Sequence, residues 1–306
     1  MNKKSKFYRI FSLVLVIILA LLFTFPLYWI ITGSFKTGKE INSTTPVWWP
    51  SEWTLKNYQK LMSKFKAPLF EIAVPLSQYF SADGTPRVGL AGPTVPAAVR
   101  WLLNTVWMAV ASMLLTCLTA SMAGYSLAKK RFVGRNLIFT LIVCAMALPK
   151  QVILIPLIRE MSSLKLYNTL SAVVYPIVGW PFGVFLMKQF SEGIPTEMVE
   201  ACRIDGASEW RTFTDVMFPM IKPGVGALAI FTFISSWNDY FMQLIMLSSN
   251  RNLTISLGIA NMQAENQTDF GLIMAGAAFA AVPIIIVFII FQKYFTKGIT
   301  MGAVKG

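Results

Sequence analysis

The sequence has no histidine and only 3 cysteines among its 306 residues. Without histidine, and with no CxxC pair, the usual zinc and copper ligand sets are absent, so we expect no metal site. A general acid or base other than a carboxylate, a lysine or a tyrosine is also excluded. The phosphate-binding pattern G-x-x-x-x-G-K-[ST] does not occur either. We therefore expect that this chain binds no nucleotide or other cofactor and is not an enzyme.

Charged residues are scarce as well, at 13% of the chain against 55% hydrophobic, with a mean hydropathy of +0.59. Such a composition indicates a protein whose solvent is the lipid bilayer. Crossing the hydrocarbon core takes roughly 20 apolar residues in one helix. Six windows of that kind predict an all-α integral membrane protein with six transmembrane helices, over Ile10–Ile31, Trp101–Leu127, Leu137–Ile158, Leu170–Met187, Val225–Leu247 and Leu272–Phe291.

Basic residues alternate between the connecting segments, and they predict the orientation of the chain. They are concentrated in residues 1–9, between the second and third windows, in residues 188–222 and in residues 292–306. Because cytoplasmic segments are enriched in lysine and arginine, we expect both termini to be cytoplasmic. Residues 32–100 then form one large extracytoplasmic loop, and 101–291 a core of five helices. The net charge of +13 is largely explained by this topology, so we expect no nucleic-acid partner.

The predicted cytoplasmic segment 188–222 has a pattern of its own. Pro195 suits a first helical turn, and Gly206 interrupts an otherwise helical stretch. A second short helix is predicted over about 208–217, ended by Pro219 and Pro223. The residue types alone leave open whether these two helices form a solvated surface hairpin or a docking site.

The specific residues of this segment, and their spacing, are more informative about its function than its hydrophobic periodicity is. The run Glu200-Ala201-Cys202-x-x-Asp205-Gly206-Ala207, followed by Val216-x-Phe218-Pro219, resembles the EAA loop in membrane subunits of ABC importers, specifically the maltose-type, sugar-importing subfamily. Cys202 stands in place of the second alanine, and Val216 and Phe218 in place of isoleucine and leucine. Similar residues outside the loop are Trp101–Thr105, Pro149, Pro156, Trp237–Tyr240 and the tail 298–306.

The resemblance implies a permease subunit of the bacterial cytoplasmic (inner) membrane that moves sugars by alternating access. It implies a second homologous permease subunit, two ATPase subunits that hold ATP and Mg²⁺, and an extracytoplasmic solute-binding protein. Glu200 would pair with a basic group of the ATPase, Gly206 would shape the turn, and Ala201 and Ala207 would permit close approach. The other residues implied in contacting the ATPase are Cys202, Asp205 and Pro219 in the loop, and Gly302, Ala303, Lys305 and Gly306 in the tail.

Polar residues within the predicted helices indicate a path for the solute. Trp237, Asn238, Asp239 and Tyr240 combine hydrogen-bonding groups with flat apolar faces, which suits a sugar, and Lys150 is a charge near the predicted midplane. A purely structural pairing of Asp239 across a subunit interface is an equal alternative. Lys150 could serve an anionic cargo, such as an acidic oligosaccharide or a sugar phosphate such as glycerol-3-phosphate, or it could neutralise Asp239 or a carboxylate of the partner subunit.

Two other function classes compete with an ATP-driven importer. A gradient-driven secondary transporter usually places several ionisable groups within its helices, and here there are few. A membrane-embedded enzyme would need a clustered catalytic set, which the sequence does not offer. The segment between Tyr58 and Trp101 is longer than the family pattern requires. We expect it either to contact the solute-binding protein or to be a tolerated surface insertion.

Overall fold

The computed structural model describes residues 3–63, 65–69, 71–73, 88–265 and 269–303. Most of this chain is helical. In chain order the helices are α1 (Lys3–Ser34), α2 (Gly38–Ile41), α3 (Lys56–Ser63), α4 (Ala97–Lys129), α5 (Arg135–Met146), α6 (Leu154–Ser163), α7 (Ser171–Val178), α8 (Pro181–Glu192), α9 (Thr196–Ile204), α10 (Glu209–Arg211), α11 (Phe218–Asn238), α12 (Tyr240–Met246), α13 (Ile255–Glu265) and α14 (Phe270–Ala303).

Within the described residues, 5 helical segments are long and apolar enough to cross a membrane, and α5 is a shorter apolar helix. The five segments are Tyr8–Ser34, Ala97–Lys129, Ser171–Glu192, Glu209–Asn238 and Phe270–Gln292. Each of them overlaps one of the predicted windows. The prediction of a continuous third helix over Leu137–Ile158 is wrong, because α5 ends at Met146 and α6 begins at Leu154.

The break in the third window is explained by its prolines. Pro149 lies between α5 and α6 and has no N–H to donate to a helix, while its ring disfavours helical geometry in the residue before it. The fourth window is interrupted at Gly179 and Trp180, just before Pro181. The fifth is interrupted at Asp239, between α11 and α12. The length of the apolar windows therefore located these segments but did not predict where their helices are interrupted.

The extracytoplasmic loop predicted over 32–100 contains strands, so the all-α prediction is wrong there. Strands β1 (Lys66–Pro68) and β4 (Thr94–Pro96) pair antiparallel, and β2 (Glu71–Ala73) pairs antiparallel with β3 (Val88–Ala91). The two pairings are nested, so the chain runs out along β1 and β2 and returns along β3 and β4. Residues 74–87, between β2 and β3, lie outside the described residues.

The chain divides into two compact units. The first comprises residues 1–101 and 255–282. Within it, the Asn57 side chain donates to the carbonyls of Ser34 and Lys36, each at 2.9 Å, and so ties α3 to the end of α1. Trp48 packs edge-on against Trp29, with ring centroids 5.9 Å apart. Aromatic rings thus gather at the end of the first long apolar helix, as is typical of a membrane interface.

The second unit comprises residues 102–254 and 283–306. Its core joins α4, α8, α9 and α11. The buried residues of that core are Cys117, Ala120, Tyr125, Met187, Ile194, Val199, Phe213, Met217, Ile221, Leu228 and Ala229. Gly124 lets α4 approach α8 closely, because a Cβ at this position would lie 2.6 Å from backbone atoms of Met187 and Lys188. The candidate sites described below all belong to this unit.

The segment after Gly206 differs from its prediction. The second helix does not end at Pro219 or Pro223: α10 leads into a π-helical segment, Thr212–Met217, which continues directly as α11. Pro219 follows the π-helical segment directly and is therefore inside a continuous helical stretch. The wider π turn before it relieves the conflict between the proline ring and the preceding carbonyls. The loop and the following apolar helix are therefore one helical body.

Candidate functional site

The turn predicted at Gly206 is present and has a defined geometry. Gly206 has φ +72°, a left-handed backbone conformation that residues other than glycine rarely adopt. Its N–H donates to the carbonyl of Arg203 at 3.1 Å, and the N–H of Ala207 donates to that of Cys202 at 2.9 Å. This pair of bonds is the Schellman arrangement that terminates helices. It stops α9 at Ile204 and redirects the chain into α10.

The residues predicted to contact an ATPase lie on the surface of this helix–turn–helix. Glu200, Ala201, Asp205, Gly206 and Pro219 are exposed, and Cys202 and Ala207 are half-buried. Three large apolar side chains are exposed beside them, and the sequence reasoning did not single them out. They are Met198, Ile204 and Trp210, with Ile204 86% exposed. We call Met198, Glu200, Ala201, Ile204, Asp205 and Trp210 the loop surface. Exposed large apolar and aromatic side chains are typical of a protein-binding surface.

The loop surface rests on buried contacts below it. Val199 and Phe213 are almost completely buried, and the rings of Phe213 and Tyr125 have centroids 5.6 Å apart. Glu209 accepts hydrogen bonds from Lys130 and, at 3.4 Å, from the Tyr125 hydroxyl. These contacts fix α9 and α10 to α4. The loop surface is therefore packed directly onto α4 and onto the π-helical segment that leads into α11.

A second candidate site is a cavity of about 440 Å³ in the same unit. The interrupted helical segments described above surround it, together with residues of α4, and its walls are mostly apolar and aromatic. Phe182 and Phe231 lie against each other in the wall, with ring centroids 4.6 Å apart. The volume falls within the range of about 300–1,000 Å³ that is usual for small-molecule sites. Polar side chains are few among the residues that line it; they include Thr116, Lys150, Thr232, Ser235, Ser236 and Asp239.

Lys150 and Asp239, both predicted for the solute path, meet at this cavity. The Lys150 Nζ atom lies 3.2 Å from Asp239 Oδ2 and 4.9 Å from the centroid of the Trp180 ring. The other carboxylate oxygen, Oδ1, accepts from the N–H of Met242 at 3.3 Å and caps α12. Asp239 thus has two roles, because it begins a helix and holds a cation. Of the alternatives left open for Lys150, neutralisation of Asp239 is the one observed in this chain.

The remaining three predicted path residues lie elsewhere. Trp237 is 2% exposed and packs against Phe233, with ring centroids 5.5 Å apart, so its face is covered. Asn238 is exposed and donates to the carbonyl of Ile234 at 3.0 Å. Tyr240 is exposed at the first position of α12. None of the three is among the described residues that line the cavity.

Two polar residues at this site escaped the sequence reasoning. Gln243 is fully buried, and its amide donates to the carbonyls of Ser236 and Trp237, which the end of α11 leaves free. Thr116, 4% exposed, is among the residues that line the cavity, and its hydroxyl oxygen is buried without a hydrogen-bond partner within the described residues. The sequence signal available for Gln243 was a polar amide side chain within an apolar window. Thr116 carried no comparable signal, because threonine is common in transmembrane helices.

The predicted ATPase-contacting tail is only partly described. Gly302 and Ala303 belong to the last turn of α14, and Lys305 and Gly306 lie outside the described residues. The helix thus continues well beyond the predicted end of the last transmembrane window, Phe291. The assignment of these residues to an ATPase contact stays a prediction.

Comparison with known proteins identifies the family. Residues 120–301 match the family described as "binding-protein-dependent transport system inner membrane component". The chain is 32% identical over 290 residues to the arabinooligosaccharides transport system permease protein AraQ of Halalkalibacterium halodurans, covering 94% of this chain and 93% of that protein. It is 26% identical to the diacetylchitobiose uptake system permease protein NgcG of Streptomyces coelicolor, covering 95% and 87% of the two chains.

Solved structures show the same fold. A chain from a bacterial ABC transporter involved in the import of the acidic polysaccharide alginate matches with a TM-score of 0.75 at 20% identity, covering 96% of this chain and 99% of that one. A chain from the alginate transporter in complex with a pentasaccharide-bound periplasmic protein matches with a TM-score of 0.55 at 13% identity, over 94% and 93% of the two chains. The family predicted from the loop is therefore confirmed, and this chain belongs to the inner-membrane permease subunits of binding-protein-dependent ABC importers.

Proposed function

We propose that this chain is one of two permease subunits of an ATP-driven importer, and that its cargo is a sugar or an oligosaccharide. The loop surface carries this proposal. It exposes Glu200 between apolar side chains and is tied by buried contacts to the long helices. The relatives named above are permeases for arabinooligosaccharides and diacetylchitobiose, which supports the cargo class.

The proposed mechanism is alternating access driven from outside the membrane. The loop surface docks on one of two ATPase subunits, which hold ATP and Mg²⁺, and Glu200 pairs with a basic group there. Closure of the ATPase pair then moves α9 and α10, and through their packing on α4 and α11 the helices that surround the cavity. This works only if the closed ATPase binds the inward and outward forms with different free energies.

The remaining partners follow from the family. A second homologous permease subunit completes the path, and an extracytoplasmic solute-binding protein delivers the cargo. We propose that both termini and the loop surface are cytoplasmic, and that Gly302, Ala303, Lys305 and Gly306 reach the ATPase pair. The nested strands between Lys66 and Pro96 would then lie on the outer side, where the binding protein docks.

The test is uptake into vesicles that contain the two permease subunits and the ATPase, with the binding protein added and a neutral trisaccharide as cargo. We expect import that requires ATP and that falls roughly tenfold or more in Glu200→Lys, because a like charge at the interface costs several kcal/mol. Glu197→Lys is the matched control. Glu197 is an exposed acid in the first turn of the same helix, and this variant should retain most of its uptake.

Two results would contradict the proposal. Uptake driven by an ion gradient in vesicles without the ATPase would assign the chain to the secondary transporters. Equal losses in Glu200→Lys and Glu197→Lys would mean that the overall charge of α9, and not a specific contact of Glu200, matters. An acidic cargo is the second candidate from the sequence, and Lys150, which pairs with Asp239 at the cavity, is the residue that motivates it.

A further inference from the structure

The connection between α4 and α5 is both basic and apolar. Between its basic residues, Phe132 is 43% exposed and Val133 is completely exposed. We call residues 129–135 the basic turn. Because it joins two apolar helices, it lies at one end of their membrane-spanning part, at the level of the lipid headgroups. The basic residues of the turn are Lys129, Lys130, Arg131 and Arg135.

The two lysines of the basic turn are already offset by carboxylates of the protein. The ammonium group of Lys129 is attracted by the nearby carboxylates of Glu192 and Glu197. The ammonium group of Lys130 forms an ion pair with Glu209. Neither lysine is therefore a strong candidate for binding an anion from outside the chain.

The two arginines of the basic turn have no such neutralisation. Within the described residues, neither Arg131 nor Arg135 forms an ion pair with a carboxylate, and α5 has no acidic residue in its first turn. Arg131 is exposed. Arg135 is half-buried, and its Nη1 atom donates to the carbonyl of Lys130 at 3.2 Å, which keeps its guanidinium group beside the turn. The positive charge that remains uncompensated is thus concentrated at these two residues.

Apolar surface adjoins these arginines. One side of α5 is covered, since Phe139 stacks on Phe185 of α8 with ring centroids 6.3 Å apart. The other side exposes Leu137, Ile138 and Leu141. An open groove of about 310 Å³ lies where this exposed side begins, and it is lined by Arg131, Phe132, Gly134, Arg135, Asn136 and Leu137.

This combination of charge and apolar surface limits the kind of partner that fits. A soluble anion would satisfy the arginines but would leave Phe132, Val133 and the exposed side of α5 uncovered. A lipid with a negatively charged headgroup joins a phosphate to acyl chains and therefore complements both parts. Arginine suits a phosphate because its planar guanidinium group can donate two hydrogen bonds to it at once.

We propose that the basic turn binds an anionic phospholipid, whose phosphate pairs with Arg131 and Arg135 and whose acyl chains lie along the exposed side of α5. Val133 and Phe132 then insert between neighbouring lipids. The inference is independent of the cargo and of the proposed ATPase contact. It assigns the two arginines a specific ligand in addition to their part in orienting the chain in the membrane.

The test is native mass spectrometry of the purified transporter complex, titrated with phosphatidylglycerol or with phosphatidylcholine of the same acyl chains. A basic residue near a membrane surface strengthens the binding of anionic lipid about fivefold. The wild type should therefore hold one phosphatidylglycerol per copy of this chain, and Arg131→Gln/Arg135→Gln should weaken that binding roughly 25-fold. Arg131→Lys/Arg135→Lys should retain most of it. Inorganic phosphate in excess should not displace the lipid, because it offers nothing to the apolar part of the surface.

The matched control is Arg211→Gln/Lys222→Gln, which removes the same charge from two exposed residues outside the turn and should leave the tight binding unchanged. Arg131→Gln alone changes only an exposed side chain, so it should keep the thermal stability of the complex while losing about fivefold in affinity. This single variant separates loss of the lipid from any disturbance of the fold at Arg135.

Three results would overturn the proposal. The wild type could bind the two lipids equally. Both double variants could lose phosphatidylglycerol to the same extent, which would show an effect of overall charge. Arg131→Gln/Arg135→Gln could release the ATPase and leave lipid binding unchanged, which would make the turn a protein contact. None of these results affects the proposed import of sugars, which the uptake measurement tests separately.

Discussion

The loop surface and the cavity are both built at interruptions of helices, but the interruptions differ. At the loop surface, Gly206 ends α9 by a local backbone turn that needs no distant residue. At the cavity, α11 ends at Asn238 because Asp239 caps the next helix and Gln243 binds the carbonyls left free. The first break leaves side chains exposed for a partner. The second satisfies its polar groups within the protein, beside a cavity whose walls are mostly apolar.

This difference teaches how one chain can serve two kinds of binding. A surface that docks a protein can be made from short-range sequence signals and a rigid support. A cavity within apolar helices needs polar groups to be satisfied from several elements at once, because unpaired polar groups in such an environment are costly. Variants that affect one region and spare the other test whether the two are really built in these different ways.

The largest expected effect is on the support of the loop surface. Phe213→Ala removes a nearly buried ring from a cluster with Tyr125, Trp210 and Phe218, and we expect a loss of about 3–5 kcal/mol in the free energy of unfolding. Ile204→Ala, on the exposed side of the same loop, should change stability by no more than about 0.5 kcal/mol and yet reduce ATP-driven uptake. Thermal unfolding in detergent and vesicle uptake, measured on both variants, give the comparison. Equal destabilisation by the two would mean that the loop has no distinct inner and outer sides.

The next prediction compares the ion pair at the cavity with an ion pair beside the loop surface. Lys150→Met leaves Asp239, only 15% exposed, without its cation, whereas Arg203→Met leaves Glu209, 62% exposed, with Lys130 still in place. A buried pair that loses one partner costs about 3–5 kcal/mol. Because Lys150 is itself 42% exposed, we expect about 1–2 kcal/mol for Lys150→Met and less than about 0.5 kcal/mol for Arg203→Met.

A double variant checks that this effect comes from the pair. Lys150→Met/Asp239→Asn should recover most of the stability lost in Lys150→Met, because no carboxylate is then left unpaired. The measurement is the free energy of unfolding of the two single variants and the double variant under one set of conditions. Additive losses would show that Lys150 and Asp239 do not stabilise each other. Another interaction would then have to hold the cavity wall in place.

The two regions also differ in how far the sequence predicted them. The loop was identified from its short sequence motif, and the turn from Gly206 itself. Both signals could be recognised because each is contained within a few neighbouring residues. At the cavity, Lys150 and Asp239 were selected as rare charges in apolar windows, but Trp237 was expected at the solute path and is instead buried against Phe233. Which side of a helix faces a cavity depends on neighbours far along the chain.

The remaining differences have similar causes. Hydrophobic windows measure composition, so Leu137–Ile158 met the criterion although Pro149 prevents a continuous helix there. The strands between Lys66 and Pro96 were missed because their pairing joins residues that are far apart in the sequence. The environment of Thr116 could not be predicted at all, since only the packing of several helices shows that its hydroxyl is buried without a partner within the described residues.

An effect of similar size to that of Lys150→Met tests the local nature of the loop turn. Gly206→Ala places a Cβ at φ +72°, which should cost about 1–2 kcal/mol, although open space surrounds the position. Gly193→Ala is the matched control, because Gly193 lies in the same segment with φ −66° and its added Cβ would meet only an ordinary contact at 3.4 Å. If the turn alone sets the direction in which α10 leaves α9, Gly206→Ala should lower both the unfolding free energy and ATP-driven uptake, while the loss of stability caused by Lys150→Met, measured in the Gly206→Ala background, stays unchanged. A change in that loss would mean that the loop turn and the cavity are coupled in the resting protein, and that the two regions are not built independently.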